Sequence, residues 1–261
     1  MNLEQLQAEL SPVARRAGEA IMAIHAAGTQ VEYKGDGSPV SAADRAAEAI
    51  ILPELARLAP QIAVISEENA ASHKLAPPRR FFLVDPLDGT KEFLKGCGPS
   101  GGPGGSPGGG KGGFTVNIAL IEDGAPRMGV VYAPALDRLF TGVVGVGASE
   151  SGVPIAIREV PEDGPVAVAS SSHRDAQTDA WLLAHGIQRT VSIGSSLKFC
   201  LLAAGEADVY PRFGPTMEWD TAAGDAVLRA AGGRLETPQG ETFRYAKPDY
   251  RNGAFIARGG F

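Results

Sequence analysis

The segment Asp85–Thr90 reads D-P-L-D-G-T and concentrates oxygen ligands within six residues. Its proline fixes one backbone angle and its glycine lets another group approach closely, so a tight turn can bring Asp85 and Asp88 to one side. The Leu87 carbonyl and the Thr90 hydroxyl offer two more oxygens. Hard divalent cations such as Mg²⁺ prefer this all-oxygen environment. Taken alone, the segment is also consistent with a solvated turn that begins with Asp.

Three further acidic positions could join this segment: Asp44, Glu68 and Asp220. Several carboxylates in one cavity repel one another and raise each other's pKa, so a bound metal is the simplest neutralising partner if they meet. Each position also has an ordinary explanation. Asp44 suits a helix-capping box that begins at Ser41, Glu68 an exposed acidic pair with Glu67, and Asp220 the first turn of a helix.

Two cations in the second half of the chain, Lys198 and Arg212, could bind a phosphate group. Arginine binds phosphate through two parallel hydrogen bonds. Side chains that could bind a sugar, a base or a phosphate lie nearby: Ser172, His173, Ser195 and Ser196. The alternatives are a helix N-cap for the serine pair, a surface loop for His173 and an ordinary strand-end charge for Arg212.

The bulk composition of the 261 residues is that of a globular protein, with 44% hydrophobic and 21% charged residues and a net charge of −6. The absence of a large Lys/Arg cluster argues against a nucleic-acid polymer as partner. No signal core and no membrane span are evident, and the only cysteines, Cys97 and Cys200, lack metal-ligand spacing. We therefore expect a cytoplasmic protein; peripheral association with the inner membrane is not indicated.

The elements that must position these residues follow from hydrophobic periodicity. Helices are predicted at 3–27 and 41–58. A short buried strand at 62–65 is followed by Ser66-Glu67-Glu68, and a second at 81–84 ends directly in Asp85. A hairpin is predicted around Glu122-Asp123-Gly124, with a third strand at 139–146. The later predictions alternate as in an α/β unit: strand 166–169, helix 175–185, strand 190–193, helix 195–204, strand 207–210 and helix 220–231.

Composition changes near 147–164, which predicts an N-terminal part at 1–150 with most metal ligands and a C-terminal part at 151–261 with the substrate contacts. Residues 96–113 contain 11 glycines in 18 residues and predict a flexible insertion, either a lid or an inert expansion. Its stretch 105–112 is one residue short of a P-loop. Gly112 replaces the required hydroxyl residue and a strand follows, so nucleotide binding there is disfavoured.

Four motifs occur in a fixed order: D-G-S-P-V-S-x-x-D at 36–44, S-E-E at 66–68, D-P-x-D-G-T-x-x-F at 85–93 and W-D-x-A-A-G at 219–224. Together they resemble the inositol monophosphatase superfamily of Mg²⁺-dependent, lithium-sensitive phosphatases, over nearly the whole chain. The resemblance implies an α+β or α/β fold, a layered αβαβα sandwich of the sugar-phosphatase type, here with a Gly-rich loop insertion.

The resemblance also implies roles for individual residues. Two or three Mg²⁺ ions would be bound by Glu68, Asp85, the Leu87 carbonyl, Asp88 and Asp220. The catalytic residues would be Asp44, Glu68 and Thr90, with Asp44 paired to Thr90 to help activate the attacking water. The substrate contacts would be Gly89, Thr90, Ser172, His173, Gly194, Ser195, Ser196, Lys198, Arg212 and Asp220.

The stretches 170–175, 194–200 and 210–220 look like those of the CysQ-type branch, the 3′(2′),5′-bisphosphate nucleotidases. This resemblance implies removal of the 3′-phosphate from adenosine 3′,5′-bisphosphate, with 3′-phosphoadenylyl sulfate as a further substrate, in sulfur metabolism. It implies a monomer or a homodimer that acts on a small nucleotide. Activity on inositol monophosphate or fructose 1,6-bisphosphate is the main alternative, and a non-catalytic Mg²⁺/phosphate-binding regulator is a weaker one.

Overall fold

The computed structural model describes residues 1–27, 31–33, 39–96, 113–170 and 174–261. The α-helices in these ranges are α1 Leu3–Ala27, α2 Ala42–Leu58, α3 Thr90–Gly96, α4 Ala176–Ala184, α5 Leu197–Ala203 and α6 Ala222–Ala230. The strands are β1 Val31–Tyr33, β2 Pro39–Ser41, β3 Ala63–Ser66, β4 Arg80–Asp88, β5 Thr115–Glu122, β6 Ala125–Ala133, β7 Arg138–Val143, β8 Gly147–Glu150, β9 Val153–Ile155, β10 Val166–Ser170, β11 Arg189–Ile193, β12 Val209–Arg212, β13 Thr216–Met217, β14 Arg234–Glu236, β15 Arg251–Asn252 and β16 Phe255–Arg258.

Two sheets organise the molecule. The seven-stranded sheet has the order β3-β4-β5-β6-β7-β8-β9, in which β3 and β4 are parallel and the other neighbours are antiparallel. The five-stranded sheet has the order β11-β10-β12-β16-β14, in which β10 runs parallel to both its neighbours. The first sheet ends at Ile155 and the second begins at Val166.

Helices cover both faces of each sheet. Phe82 of β4 packs with α1 and α2, whereas Phe81 on the opposite face shares a core with α5 and α6. Tyr210 of the second sheet joins this α5/α6 core, and Ile256 on the other face packs with Leu182 of α4. The layers are therefore α1/α2, sheet, α5/α6, sheet and α4. The predicted αβαβα sandwich is confirmed, with the α5/α6 core shared by the two predicted parts of the chain.

Two glycines let α6 lie directly on the seven-stranded sheet. A Cβ atom added to Gly142 would lie 2.8 Å from the Cα atom of Val227, and one added to Gly129 would lie 2.9 Å from the Cβ atom of Ala226. Interiors are packed too densely to absorb such atoms without movement. Because α6 begins just after Asp220, this close contact also sets the depth of that carboxylate.

Most predicted elements are confirmed, including the first two helices and the hairpin, where Asp123 (φ 52) and Gly124 (φ 70) adopt the left-handed conformations of a tight turn. Two regions differ. β4 does not end at Val84 but continues to Asp88, and β8 and β9 occupy part of the predicted linker at 147–164. Among the residues of described placement, no helix has the length and apolar character required to cross a bilayer.

Candidate active site

Glu67, Asp85 and Asp220 meet at one end of the seven-stranded sheet. Ser66, the last residue of β3, pairs in parallel with Val84 of β4, so the next residue of each strand, Glu67 and Asp85, lies at the same edge. The Glu67 N–H donates to the Val84 carbonyl at 3.1 Å, which continues the ladder. Carboxylate oxygens of the three acidic residues lie within 4.8 Å of one another, a spacing that a single cation can bridge.

The group contains Glu67 and not Glu68, the residue predicted as metal ligand and catalytic residue. Glu67 and Glu68 are the two central residues of a turn, which the Asn69 N–H closes by donating to the Ser66 carbonyl at 3.1 Å, and only Glu67 belongs to the group with Asp85. Glu67 also lines the cavity at this site, and Glu68 is absent from its lining. The signal that would have identified Glu67 is its position immediately after the strand.

A buried polar network holds Asp220 in place. Asp220 Oδ2 accepts the Met217 N–H at 2.8 Å, which closes the 3₁₀ turn Glu218–Asp220. Glu218 is fully buried, accepts the N–H groups of Ala246 and Lys247, and forms an ion pair of 2.6 Å with the Lys247 ammonium group. Breaking a buried pair of this kind leaves an uncompensated charge, so the turn is strongly fixed.

A β-bulge in β4 brings Asp85 and Asp88 together. Asp85 pairs with Asn117 of β5 and Asp88 pairs with Thr115, so β4 fits one extra residue between the two pairs. Pro86 supplies no N–H to the ladder at this point, and the Leu87 N–H donates to Asp85 Oδ1 at 3.0 Å. The aspartates were predicted in a turn after the strand; they lie in a bulge within it.

The Thr90 hydroxyl lies between Asp44 and Leu87 where α3 begins. Thr90 Oγ1 is 3.3 Å from Asp44 Oδ1 and 3.2 Å from the Leu87 carbonyl. Asp44 comes from the first turn of α2 and is only 2% exposed. Gly89, in the left-handed region at φ 92, turns the chain from β4 into α3, and a Cβ atom there would lie 2.8 Å from the Gly113 carbonyl.

The carboxylates shift one another's titration. Burial, and then the nearby charge of Glu67, raises the pKa of Asp85 well above its ordinary value. Burial and the charge of Asp88 do the same for the pKa of Asp220. Burial raises the pKa of Asp88 to about 6, although Lys198 opposes the shift. The group therefore disfavours its own ionised state and is strongly stabilised by added positive charge.

Lys198 and Ser196 face Asp88 from α5. The Lys198 ammonium donates to the Ser195 carbonyl at 2.6 Å, and burial lowers its pKa to about 8 against the attraction of Asp88. The Ser196 N–H donates to Asp88 Oδ2 at 2.5 Å. For both Asp88 and Lys198, burial changes the pKa more than their mutual attraction does. The charge on Lys198 therefore depends on what binds beside it, because an anionic ligand raises its pKa.

Arg212, the last residue of β12, lines the same cavity. Its Nε donates to the Gly214 carbonyl at 3.2 Å and one of its terminal nitrogens donates to the Pro215 carbonyl at 3.1 Å. The side chain is only 7% exposed. These contacts fix the plane of the guanidinium group, which is the condition for directional recognition of an anion.

Known proteins resemble this chain in sequence and in fold. The family model of the inositol monophosphatase family matches residues 2–259. The chain belongs to the inositol monophosphatase family. It is 45% identical over 241 residues to the 3′(2′),5′-bisphosphate nucleotidase CysQ of Salmonella typhimurium, which covers 91% of this chain and 92% of that protein. The corresponding protein of Escherichia coli strain K12 is 44% identical over 242 residues, with the same coverage.

Solved structures of the family agree. The crystal structure of CysQ from Bacteroides thetaiotaomicron superimposes with a TM-score of 0.79 at 34% identity and covers 99% of this chain and 98% of that one. The inositol monophosphatase of Anabaena superimposes with a TM-score of 0.77 at 26% identity and covers 100% of this chain and 93% of that one.

One cavity of about 610 Å³ collects most of the residues that resemblance to the inositol monophosphatase family had predicted. Its lining includes Asp85, Leu87, Asp88, Gly89, Thr90, Gly194, Ser195, Lys198, Arg212 and Asp220. Ser196 lies behind this wall, because its hydroxyl donates to Asn117 Oδ1 at 2.6 Å and its side chain is 1% exposed. Ser172, His173 and residues 97–112 of the Gly-rich stretch lie outside the described residues.

Other lining residues were not predicted from the sequence, among them Glu92, Arg174 and Asp175. Glu92 is the third residue of α3 and is only 7% exposed. Asp175 caps α4 by accepting the Thr178 N–H at 2.7 Å. Each of these charged residues follows a few positions after the end of a strand, which was the available signal in the sequence. Charged residues at such positions are too common to identify a site without the fold.

Proposed function

We propose that the chain is a Mg²⁺-dependent 3′(2′),5′-bisphosphate nucleotidase that converts adenosine 3′,5′-bisphosphate to AMP and phosphate. The observation that carries the proposal is a single cavity lined both by Glu67, Asp85, Asp88 and Asp220 and by the cations Lys198 and Arg212. Acidic residues suit a metal-assisted phosphatase, and the two cations suit a second phosphate that is not cleaved. The names of the CysQ relatives support the same substrate.

The donor set fits Mg²⁺. Glu67, Asp85 and Asp220 offer carboxylate oxygens within 4.8 Å of one another, and Asp88 and the Leu87 carbonyl line the same cavity. Mg²⁺ prefers such oxygen ligands, whereas the described cluster provides neither His nor Cys. We propose these five residues as the ligands of two or three ions. When bound, Mg²⁺ supplies the positive charge that lowers the pKa of water and stabilises charge on phosphate oxygens.

The chain's own residues handle the proton and the phosphate. Thr90 Oγ1 accepts a proton from the attacking water and passes its own proton to Asp44 Oδ1, 3.3 Å away. The main-chain N–H groups of Gly89 and Thr90, where α3 begins, hold the oxygens of the phosphate that is cleaved. The water oxygen attacks phosphorus, the bond to the 3′-oxygen breaks, and that oxygen takes up a proton from solvent. No side chain has to form a covalent phosphoenzyme.

Substrate selection depends on the cationic residues of the cavity, Arg212 and Lys198. Arg212, fixed by its bonds to the Gly214 and Pro215 carbonyls, binds the 5′-phosphate, and Lys198 neutralises it. Ser195 lines the same cavity, and its φ of 54 turns the chain so that α5 begins beside Asp88. We propose that the sugar lies between these residues, and that Ser172 and His173 complete the nucleotide contacts as the sequence predicts.

The function is tested by comparing kcat/KM for adenosine 3′,5′-bisphosphate, inositol 1-phosphate and fructose 1,6-bisphosphate, each with Mg²⁺ and with EDTA. We expect turnover only with Mg²⁺ and at least about tenfold preference for the nucleotide. A tenfold preference for inositol phosphate would move the substrate assignment to the other branch of the family. Absence of turnover with every substrate would indicate a non-catalytic binding protein.

We also propose that the enzyme acts in the cytoplasm on free small nucleotides, as a monomer or a homodimer. The acidic composition with a net charge of −6 supports free nucleotides over nucleic-acid polymers as partners. Sedimentation of the purified protein gives its oligomeric state. Fractionation of cells that produce it tests the location, and recovery in the membrane fraction would contradict the proposal.

A further inference from the structure

His73 contacts the turn that carries Glu67 and the turn that carries Asp220. Its Nε2 lies 2.8 Å from the Ser66 carbonyl, and its ring stacks on that of Trp219 with centroids 4.7 Å apart and planes inclined by 22°. Ser66 directly precedes Glu67 and Trp219 directly precedes Asp220. Because a carbonyl only accepts, Nε2 carries the proton of this contact.

His73 is itself firmly held. It lies in the 3₁₀ turn Ser72–Lys74, and the Ser72 hydroxyl accepts the Ser66 N–H at 3.1 Å. The turn ends at Leu75, whose carbonyl accepts the Tyr250 hydroxyl at 2.9 Å. The segment that follows Glu67 therefore folds back on the end of β3 and presents a fixed imidazole to its neighbours.

Trp219 is fixed from its own side. It is 5% exposed, and its neighbours Glu218 and Asp220 are anchored by the Lys247 ion pair and the Met217 N–H. The Tyr250 ring, which is fully buried, lies 6.4 Å from the Trp219 ring and so connects the two turns a second time. His73 is the most direct link, because it contacts the residue before each acidic ligand.

We propose that His73 is a positioning residue of the metal centre, which sets the separation of Glu67 and Asp220 through Ser66 and Trp219. The inference rests on the proposed function, since it assumes that these carboxylates bind Mg²⁺. Mg²⁺ requires near-octahedral geometry at about 2.0–2.1 Å, so small displacements of a ligand weaken binding. Loss of an outer-shell partner typically lowers metal affinity about 10- to 100-fold, and we expect the lower end for His73.

The test compares His73→Ala with His185→Ala. His185 also stacks on a tryptophan, Trp181, with centroids 3.8 Å apart, and its Nδ1 contacts the Trp181 carbonyl at 2.8 Å, but neither residue adjoins a member of the acidic group. The apparent Mg²⁺ dissociation constant is measured without substrate, from the rise of the melting temperature with Mg²⁺ concentration. We expect it to increase about tenfold in His73→Ala and to stay within about twofold of wild type in His185→Ala.

Kinetics separate positioning from general damage. In His73→Ala we expect the Mg²⁺ concentration for half-maximal activity to rise by the same factor, while the KM for the bisphosphate at saturating Mg²⁺ changes less than about twofold. His73→Phe keeps the stack on Trp219 and loses the bond to Ser66, so its Mg²⁺ affinity should lie between those of wild type and His73→Ala. For each protein, the rise of the melting temperature with Mg²⁺ is measured from that protein's own melting temperature in EDTA. A loss of stability without metal is thereby separated from a loss of Mg²⁺ affinity.

Unchanged Mg²⁺ affinity in a folded His73→Ala protein would overturn the inference and leave the proposed function intact. Equal losses in the His73 and His185 variants would also overturn it, because they would show a general effect of removing a His–Trp stack. A wild-type protein that Mg²⁺ does not stabilise would overturn the metal centre itself and the role of His73 with it.

Discussion

Glu67 and Glu68 are chemically identical neighbours, and the fold gives them different surroundings. Glu67 lies within the 4.8 Å group with Asp85 and Asp220, and its main-chain N–H continues the β3–β4 ladder. Glu68, the next residue of the turn after β3, is not a member of that group. The pair therefore provides a matched test of the metal site, in which charge is removed at the same place in the chain and with the same change in size.

We expect Glu67→Gln to lower kcat/KM about 100-fold or more, because one charged ligand oxygen is replaced by a weaker amide oxygen. Glu68→Gln should stay within about threefold of wild type. Both variants are assayed over a range of Mg²⁺ concentrations, so that a loss of affinity is separated from a loss of rate. A larger loss in Glu68→Gln would show that the sequence-based choice of ligand was correct.

Arg212 gives a second test, directed at the substrate. Arg212→Ala should raise the KM for adenosine 3′,5′-bisphosphate about tenfold or more, because a hydrogen bond to a charged group contributes about 1.5–3 kcal/mol. The KM for adenosine 3′-monophosphate, which lacks the 5′-phosphate, should change much less. Loss of the bonds to the Gly214 and Pro215 carbonyls affects both substrates alike. Equal increases would therefore contradict the assigned role.

At the scale of elements, regular periodicity was predictable and local irregularity was not. The apolar spacing of α1 and the apolar run Phe81–Val84 of β4 identified both elements. The bulge between Asp85 and Asp88 depends on the partner strand, because the pairing of Asn117 and Thr115 defines it. The strands β8 and β9 are short and partly exposed, so their residues lack the apolar alternation that predicts a strand.

The loop between β11 and α5 is also set by contacts that the sequence does not reveal. A Cβ atom on Gly194 would lie 2.8 Å from Glu92 Cγ and too close to the Gly113 carbonyl. The loop packs this closely against Glu92 of α3 because residue 194 has no side chain. The loop then turns at Ser195 to begin α5 beside Asp88. A methyl group added at Gly194 must displace the loop, and with it the part of the cavity lining that the loop forms.

We therefore expect Gly194→Ala to lower kcat/KM about tenfold or more, since misplacement by about 1 Å can cost as much as 100-fold. Gly253→Ala is the matched control, because a Cβ atom there has no neighbour within 4 Å. It should retain wild-type kinetics. Circular dichroism checks that both variants fold. Full activity in Gly194→Ala would show that the loop can move without disturbing the wall formed by Lys198.

At the scale of the whole molecule, the site exists because the five layers bring distant segments together. Asp85 comes from the first sheet, Lys198 from α5 between the sheets and Arg212 from the second sheet. Hydrophobic periodicity assigns each segment to an element but does not give the order of the layers. The family resemblance supplied that order. It also assigned the metal to Glu68, whereas the structure groups Glu67 with Asp85 and Asp220.

The layered site concentrates carboxylates, which makes stability depend on pH in a defined direction. The pKa of Asp88 is raised from 3.8 to about 6, and burial raises those of Asp85 and Asp220 as well. Without metal, these three carboxylates bind more protons in the folded protein than in the unfolded chain between about pH 4 and pH 6 and above. Their contribution to the free energy of unfolding therefore falls as the pH rises through that interval.

Urea unfolding from pH 5 to pH 8 in EDTA and in Mg²⁺ measures this dependence. We expect stability in EDTA to fall with pH, with Asp88 contributing about 1 kcal/mol over this range, since about one pKa unit of its shift lies above pH 5. Mg²⁺ binds the ionised carboxylates, so its stabilising effect should grow with pH.

Asp88→Asn should fold, lose activity and show a shallower decline of stability with pH in EDTA, because one of the titrating groups is gone. Carboxylates with lowered pKa, such as Asp208, oppose the trend but act equally in both proteins. A decline of the same slope in Asp88→Asn would place the repulsion elsewhere.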